Sequence, residues 1–112
     1  MNKPPLSEKD SLALTEFSSR ISRLLGHNLK RLALFGSKAE GRSTPESDID
    51  VLVLIKKSSL RIRNQIFDEA FEVNVKHGVY ISPRIISLSV YNHPVWRVTP
   101  FLKGLRATAV PL

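Results

Sequence analysis

Two aspartates one residue apart, at the start of an apolar run, are the residues in this sequence best suited to chemistry. Asp48 and Asp50 flank Ile49 and are followed by the run Val51–Ile55. Because side chains alternate along a strand, both carboxylates are expected on one face, with Ile49 turned into the core. Neighbouring carboxylates repel each other unless a cation lies between them. A bound Mg²⁺ ion would remove the repulsion, whereas a solvated strand end is the simpler alternative.

A Gly-Ser pair lies upstream, at the end of another predicted strand. Gly36 and Ser37 directly follow the predicted strand Leu29–Phe35. Glycine lets the backbone approach a phosphate, and the first N–H groups of a following helical turn point toward it. The Ser37 hydroxyl can add a further donor. Together with Asp48 and Asp50, the pair predicts a site for a nucleoside triphosphate and Mg²⁺.

The spacing of the two motifs resembles a known signature. Ten residues separate Ser37 from Asp48, as in nucleotidyltransferases of the DNA polymerase beta-like superfamily. Within this spacer, Ala39 and Gly41 are similar to the GSxAxG form of its small, stand-alone members, the minimal nucleotidyltransferases. The resemblance covers roughly residues 29–55.

The resemblance implies a reaction and a role for each motif. An acceptor hydroxyl attacks the α-phosphorus of a nucleotide such as ATP, and pyrophosphate leaves. Gly36 and Ser37 would bind the β- and γ-phosphates. Asp48 and Asp50 would be the catalytic residues and would coordinate Mg²⁺.

Two basic residues of the same segment are further candidates for binding the nucleotide. Lys38 and Arg42 could contact phosphate oxygens. Neither matches a fixed motif position, so a solvated loop charge is an equal alternative.

One feature of active members of the resembled superfamily is missing from the sequence. They usually carry a third carboxylate on a neighbouring strand, and the segment Val79–Val90 contains no acidic residue. Tyr80 and Ser82 could occupy its place, and neither is a good metal ligand. The motifs that would bind the nucleotide and Mg²⁺ are therefore both present. The carboxylate that would help to activate the acceptor hydroxyl is not found on this segment.

Two functions consequently stay open. The first is an enzyme that transfers a nucleoside monophosphate to an acceptor hydroxyl. The resemblance suggests that the acceptor is a tyrosine of a helical HEPN-type toxin, with this chain as its antitoxin. The second is a catalytically weakened antitoxin subunit that neutralises a helical partner by binding it.

Hydrophobic periodicity predicts the elements that position the motifs. A first helix begins at the N-cap Ser7 and stops at Gly26. A second helix, residues 60–78, has an apolar line of Ile62, Ile66 and Ala70 with two phenylalanines beside it. Three strands are predicted: Leu29–Phe35, Asp48–Ile55 and Val79–Val90, the last with Pro83 at an edge or bulge. They are followed by a helix from Pro94 to about Lys103 and by a tail or capping strand at 107–112.

The order α-β-turn-β-α-β-α predicts an α/β (α+β) fold, a small mixed sheet with flanking helices. At 112 residues the chain is expected to be a single nucleotidyltransferase domain, residues 1–112.

The composition and net charge of the chain limit the kinds of partner that we expect. The chain has 17 Lys and Arg against 10 Asp and Glu, a net charge of +7, and no cysteine. The charge favours anionic partners such as nucleotides and gives only weak support for a third function, a nucleic-acid-binding module. Disulfides are excluded, and no apolar run approaches the ~18 residues of a membrane span. We therefore expect a soluble cytoplasmic protein.

Overall fold

A computed structural model describes residues 6–36, 39 and 47–112 of the chain. In chain order the elements are α1 (Glu8–Leu25), a 3-10 turn (Gly26–Asn28), β1 (Leu29–Phe35), β2 (Ile49–Ile55), α2 (Leu60–His77), β3 (Ile81–Ser87), the short α3 (Leu88–Tyr91), a second 3-10 turn (Trp96–Val98), α4 (Pro100–Thr108) and β4 (Val110–Pro111). None of the helices in these described ranges is long and apolar enough to cross a membrane.

The four strands form one mixed sheet in the order β3-β2-β1-β4. β2 pairs antiparallel with β1 and parallel with β3, while β4 pairs antiparallel with β1. The parallel pair is connected through α2, as a crossover between parallel strands requires. The predicted mixed sheet with flanking helices is confirmed. Pro83 lies on β3, an edge strand of this sheet, as its missing N–H predicted.

Side-chain caps and a left-handed glycine set the ends of the two long helices. The Ser7 hydroxyl accepts a hydrogen bond from the Asp10 backbone N–H at 3.0 Å. The Ser59 hydroxyl does the same for Ile62 at 3.1 Å. Gly78 ends α2 with a φ of 66°. These local interactions explain why the bounds of both helices could be predicted from sequence.

Hydrophobic side chains cover both faces of the sheet, because β2 carries apolar residues on both sides. The larger core lies between one face and helices α1 and α2. It includes Phe17, Ile21, Ile49, Val51, Val53, Ile66 and Val73. The smaller core lies on the opposite face, under α3 and α4. It consists of Ala33, Leu52, Leu54, Tyr91, Leu102 and Leu105.

The prediction for the last helix was wrong. α4 begins at Pro100, not at Pro94, because the Thr99 hydroxyl caps it by accepting from the Leu102 N–H at 3.4 Å. The His93 ring instead supports a turn, since its Nδ1 accepts from the Val95 N–H at 3.1 Å.

The third strand is also shorter than predicted. β3 ends at Ser87, and the following residues form the helical turn α3, in which the Asn92 N–H donates to the Leu88 carbonyl at 3.0 Å. Residues 107–112 do contain a capping strand, since Val110 pairs with Leu34 of β1.

The two phenylalanines of α2 do not lie with its buried line. Ile66, Ala70 and Val73 face the core, whereas Phe67 and Phe71 are exposed. At 100° per residue the two rings project away from the buried side, so the helix carries apolar residues on two different faces.

Candidate active site

The candidate motifs meet where β1 ends and β2 begins. In the antiparallel pair, Phe35 at the end of β1 lies opposite Asp50 at the start of β2. Gly36 follows Phe35 directly, and Asp48 directly precedes β2. The chain reversal between two neighbouring strands therefore brings the glycine and the aspartates to the same end of the sheet.

Gly36 packs so closely against the carboxylate of Asp50 that a side chain at this position would displace it. An ideal Cβ on Gly36 would lie 2.6 Å from Oδ2 of Asp50, and the glycine φ is 75°. Contacts below 3.0 Å force the neighbour to move, and a positive φ strains any L side chain. The position therefore requires glycine both for its backbone conformation and for its contact with Asp50.

Asp50 is partly buried on the less covered face of the sheet. Burial raises the pKa of its carboxyl above the usual 3.8, the positive charge of Arg84 opposes that rise, and the negative charge of Asp48 adds to it. Asp48 itself is exposed. Ile49 between them is buried in the larger core, as the alternation predicted. The pair thus presents a carboxylate whose ionisation the local structure opposes and a cation would favour.

The neighbouring strand places Ser82 and Arg84 beside Asp50. In the parallel pair, Asp50 is in register with Ser82, and Arg84 follows two residues later on the same face. The Ile49 N–H donates to the Tyr80 carbonyl at 2.8 Å, which fixes the start of this pairing. The strand expected to carry a third carboxylate therefore offers a hydroxyl and a guanidinium at this end. Tyr80 lies before β3, and its side chain is exposed.

Arg84 is a candidate that the sequence reasoning missed. Its position two residues after Ser82 was visible in the sequence, but its proximity to Asp50 depends on the register of β3 against β2. Phe35 and Phe101 were missed in the same way. Their rings meet edge to face, with centroids 6.1 Å apart, so α4 forms a wall next to the strand position of Asp50.

The remaining predicted residues divide into those that the structure describes and those that it does not. Ser37, Lys38 and Arg42 lie outside the described residues. Ala39 is described, is helical and packs against the larger core. His77 contacts Glu16, with Nε2 3.0 Å from Oε1, and so joins α2 to α1.

The donor set fits a hard cation that keeps open coordination positions. Carboxylate oxygens are the ligands that Mg²⁺ prefers, and Mg²⁺ is often bound by one or two of them together with substrate phosphates. Within residues 6–36, 39 and 47–112, no group of three or more His, Cys, Asp and Glu side chains could hold a metal. Asp48 and Asp50 would then supply two ligands of such a cation, with substrate phosphates among the others.

Comparison with known proteins identifies the family to which the chain is similar. The nucleotidyltransferase domain family matches residues 14–100. A protein of Methanocaldococcus jannaschii, provisionally named a protein adenylyltransferase, is 37% identical over 78 residues, 69% of this chain and 79% of that protein.

Two solved structures share the fold. One, provisionally described as a minimal nucleotidyltransferase, has a TM-score of 0.58 and 21% identity, and the match covers 96% of this chain and 99% of that one. The other, a toxin-antitoxin crystal structure with AMP-PNP, has a TM-score of 0.53 and 17% identity, and covers 85% and 68%.

Proposed function

This chain belongs to the nucleotidyltransferase domain family, and we propose that it transfers AMP from ATP to an acceptor hydroxyl. The observation that carries the proposal is the contact between Gly36 and the Asp50 carboxylate, with Asp48 two residues away at the same strand end. It joins the element that would bind phosphate to the residues that would bind metal. The glycine turn alone, or the two aspartates alone, could serve a purely structural role.

The residues divide the work of the reaction. Gly36 and Ser37 would hold the β- and γ-phosphates, while Asp48 and Asp50 would hold Mg²⁺. When bound, Mg²⁺ supplies positive charge that neutralises the phosphates and lowers the pKa of the attacking hydroxyl. The acceptor oxygen bonds to the α-phosphorus, pyrophosphate leaves with the electrons of the broken bond, and the acceptor proton passes to water.

Three cationic side chains could assist at the phosphates. Lys38 and Arg42 remain candidates for contacts with the triphosphate. Arg84 is on the Asp50 face of β3 and is exposed, so it could neutralise charge on the nucleotide.

For the acceptor we propose a tyrosine of a helical, HEPN-type protein partner, with this chain as its antitoxin in the cytoplasm. The name of the Methanocaldococcus relative supports a protein as acceptor, and the toxin-antitoxin structure supports a protein partner. Both findings concern other proteins, and together they make a tyrosine of a protein partner the first acceptor to test.

A second candidate function is an antitoxin subunit with weakened catalysis. The observation that favours it is the pairing of Asp50 with Ser82 on β3, the neighbouring strand, on which active members of the superfamily usually carry a third carboxylate. Such a subunit would neutralise its partner by covering it. In that case Asp50→Ala would leave both binding and protection intact.

The test uses ATP labelled at the α-phosphate, with Mg²⁺ and the helical partner. We expect wild type and the control Glu8→Gln, an exposed acid on α1, to label the partner, whereas Asp48→Asn and Asp50→Asn do not. Label in a nuclease-sensitive product would instead identify nucleic acid as the acceptor. A partner that is bound but unlabelled, with ATP bound as well, would favour the second function. Equal labelling by all four proteins would contradict the proposed roles of the aspartates.

A further inference from the structure

Helix α2 has a second apolar face opposite its buried one. Leu60, Phe67, Phe71 and Val75 are 75%, 44%, 68% and 68% exposed. At 100° per residue these four side chains fall within a sector of about 80°, on the side of the helix away from Ile66 and Val73. We call this set the outer stripe. Asn64 falls within the same sector.

A stripe of this kind is unusual for a free surface. Helices that are apolar on more than one face are normally buried on more than one face. The two phenylalanines alone expose on the order of 200 Å² of apolar area, and Leu60 and Val75 extend it along the helix. Contiguous exposed patches of a few hundred Å² mark interaction sites.

Charges beside the stripe are arranged along the helix by sign. Arg61 lies on one flank near the start of α2, and Asp68 and Glu72 follow on the same flank toward its end. Asp68 is exposed, and Glu72 is only 3.5 Å from Arg20 through a largely exposed carboxylate. If a second copy of α2 lies antiparallel on the stripe with its Phe71 against Leu60, each Arg61 falls between Asp68 and Glu72 of the other copy.

We propose that the outer stripe is a self-association surface through which two copies of this chain pair, with their α2 helices antiparallel. The stripe supplies the apolar centre of an interface that requires about 800 Å² from each copy, and the flanking charges supply its rim. Asn64 within the stripe adds a polar group that favours one register. The proposal does not depend on nucleotide transfer.

The pairing would also border the candidate active site. α2 ends at Gly78, and the carbonyl of Tyr80 two residues later accepts from Ile49, the residue between the aspartates. Tyr80, Phe71 and Val75 line one open groove at this end of the helix. A second copy on the stripe therefore lies next to the edge where an acceptor must approach.

The first test is sedimentation equilibrium of the whole chain from about 1 µM to about 100 µM, a range that brackets a micromolar dissociation constant. We expect a monomer-dimer equilibrium for the wild type. Phe71→Asp, which buries two charges in the dimer, should raise the dissociation constant at least about 100-fold. The matched control is Leu12→Asp, because Leu12 is an apolar helix residue of α1 that is 57% exposed, and it should leave the constant unchanged.

The second test fixes the orientation by charge reversal. Arg61→Glu and Asp68→Arg should each weaken the dimer several-fold, and the double variant should bind more tightly than either single variant, because positions 61 and 68 are then complementary again while Glu72 is unchanged. These surface changes leave the fold intact even if Phe71→Asp does not fold. Circular dichroism of every variant checks this.

Three outcomes would overturn the proposal. They are a wild-type chain that stays monomeric, a dimer that is indifferent to Phe71→Asp, and a double charge variant that is no better than the singles. A monomeric chain that binds a different protein through Phe71 would likewise show that the occupant is not a second copy.

Discussion

At the scale of single residues, Gly36, directly after β1, lies against the Asp50 carboxylate of β2. Gly36 and Gly78 both have a positive φ but differ in their surroundings. A Cβ on Gly36, at φ 75°, would collide with Asp50, whereas a Cβ on Gly78, at φ 66°, would meet nothing within 4 Å. Comparing alanine substitutions at these two glycines therefore separates the free-energy cost of a positive φ from the effect of the contact with Asp50.

We predict that Gly36→Ala and Gly78→Ala each lower the free energy of unfolding by about 1 kcal/mol, because both force alanine into a positive φ. Only Gly36→Ala should also reduce nucleotide transfer, by about 100-fold or more, since its Cβ displaces the Asp50 carboxylate. Urea unfolding and the labelled-ATP assay measure the two effects. Equal loss of transfer in both variants would show that the contact is unimportant.

Asp50 illustrates how a functional residue can oppose the stability of its own fold. Its pKa in the folded chain is raised above the usual 3.8. The folded state therefore holds the proton more tightly than the unfolded state, and stability falls as the pH rises through this raised range. At neutral pH the ionised Asp50 carboxylate therefore destabilises the folded chain when no cation is bound.

We predict that Asp50→Asn raises the thermal midpoint at pH 7 without divalent cations, while it lowers transfer by at least about 100-fold. The gain should vanish below about pH 3.8, where the carboxyl is protonated in both states. Mg²⁺ should stabilise the wild type but not the variant. Calorimetry with and without Mg²⁺ checks this, and an unchanged or lowered midpoint at pH 7 would contradict it.

At the scale of elements, an ion-pair network joins α1 to α2 on the exposed side of their packing. Glu16 is its centre, with Oε1 3.0 Å from His77 and 2.9 Å from Lys76, and Oε2 2.9 Å from Arg20. Arg20 also reaches Glu69 at 2.9 Å. The contact with His77, followed by that with Lys76, lowers the pKa of Glu16 from 4.5 to about 2.

We predict that Glu16→Gln destabilises the chain at pH 7 and that the difference disappears in acid. A lowered carboxyl pKa contributes stability above the unfolded value of 4.5, and this contribution is lost as the pH falls toward 2. Thermal midpoints at pH 7, 4 and about 2 test it. Glu8→Gln, at the exposed start of the same helix, is the control. A difference that stays constant with pH would argue for a packing effect instead.

At the scale of the whole molecule, α4 decides how much of the second sheet face is covered. Leu102 and Leu105 pack on Leu52 and Leu54 in the smaller core. Asp50, on the same face of β2, is nearer its beginning and is only partly buried. The helix thus closes one part of the face and leaves open the part that carries the carboxylates.

We predict that Leu105→Ala costs about 2–4 kcal/mol of unfolding free energy, because the side chain is buried and leaves a cavity against the sheet. Leu12→Ala, on an exposed position of α1, should change it by less than about 0.5 kcal/mol. Denaturant unfolding measures both. A loss below about 1 kcal/mol for Leu105→Ala would mean that α4 is not part of the cooperative fold.

Much of the fold could be predicted because its signals are local. The caps at Ser7 and the glycine stop at Gly78 act within one helical turn, and the apolar run of β2 reports burial on both sheet faces directly. The start of α4 was wrongly predicted at Pro94 even though its signal is also local, since Thr99 is an N-cap directly before Pro100.

The sequence by itself pointed to Gly36 and to Asp48 and Asp50 as candidates through their residue types and spacing, and local alternation predicted that Ile49 faces the core. Only the tertiary structure decided that Ser82 and Arg84 lie beside Asp50 and that Phe67 and Phe71 face outward. Strand register and the choice between two apolar helix faces depend on contacts between residues far apart in the chain. Periodicity within one segment does not contain that information.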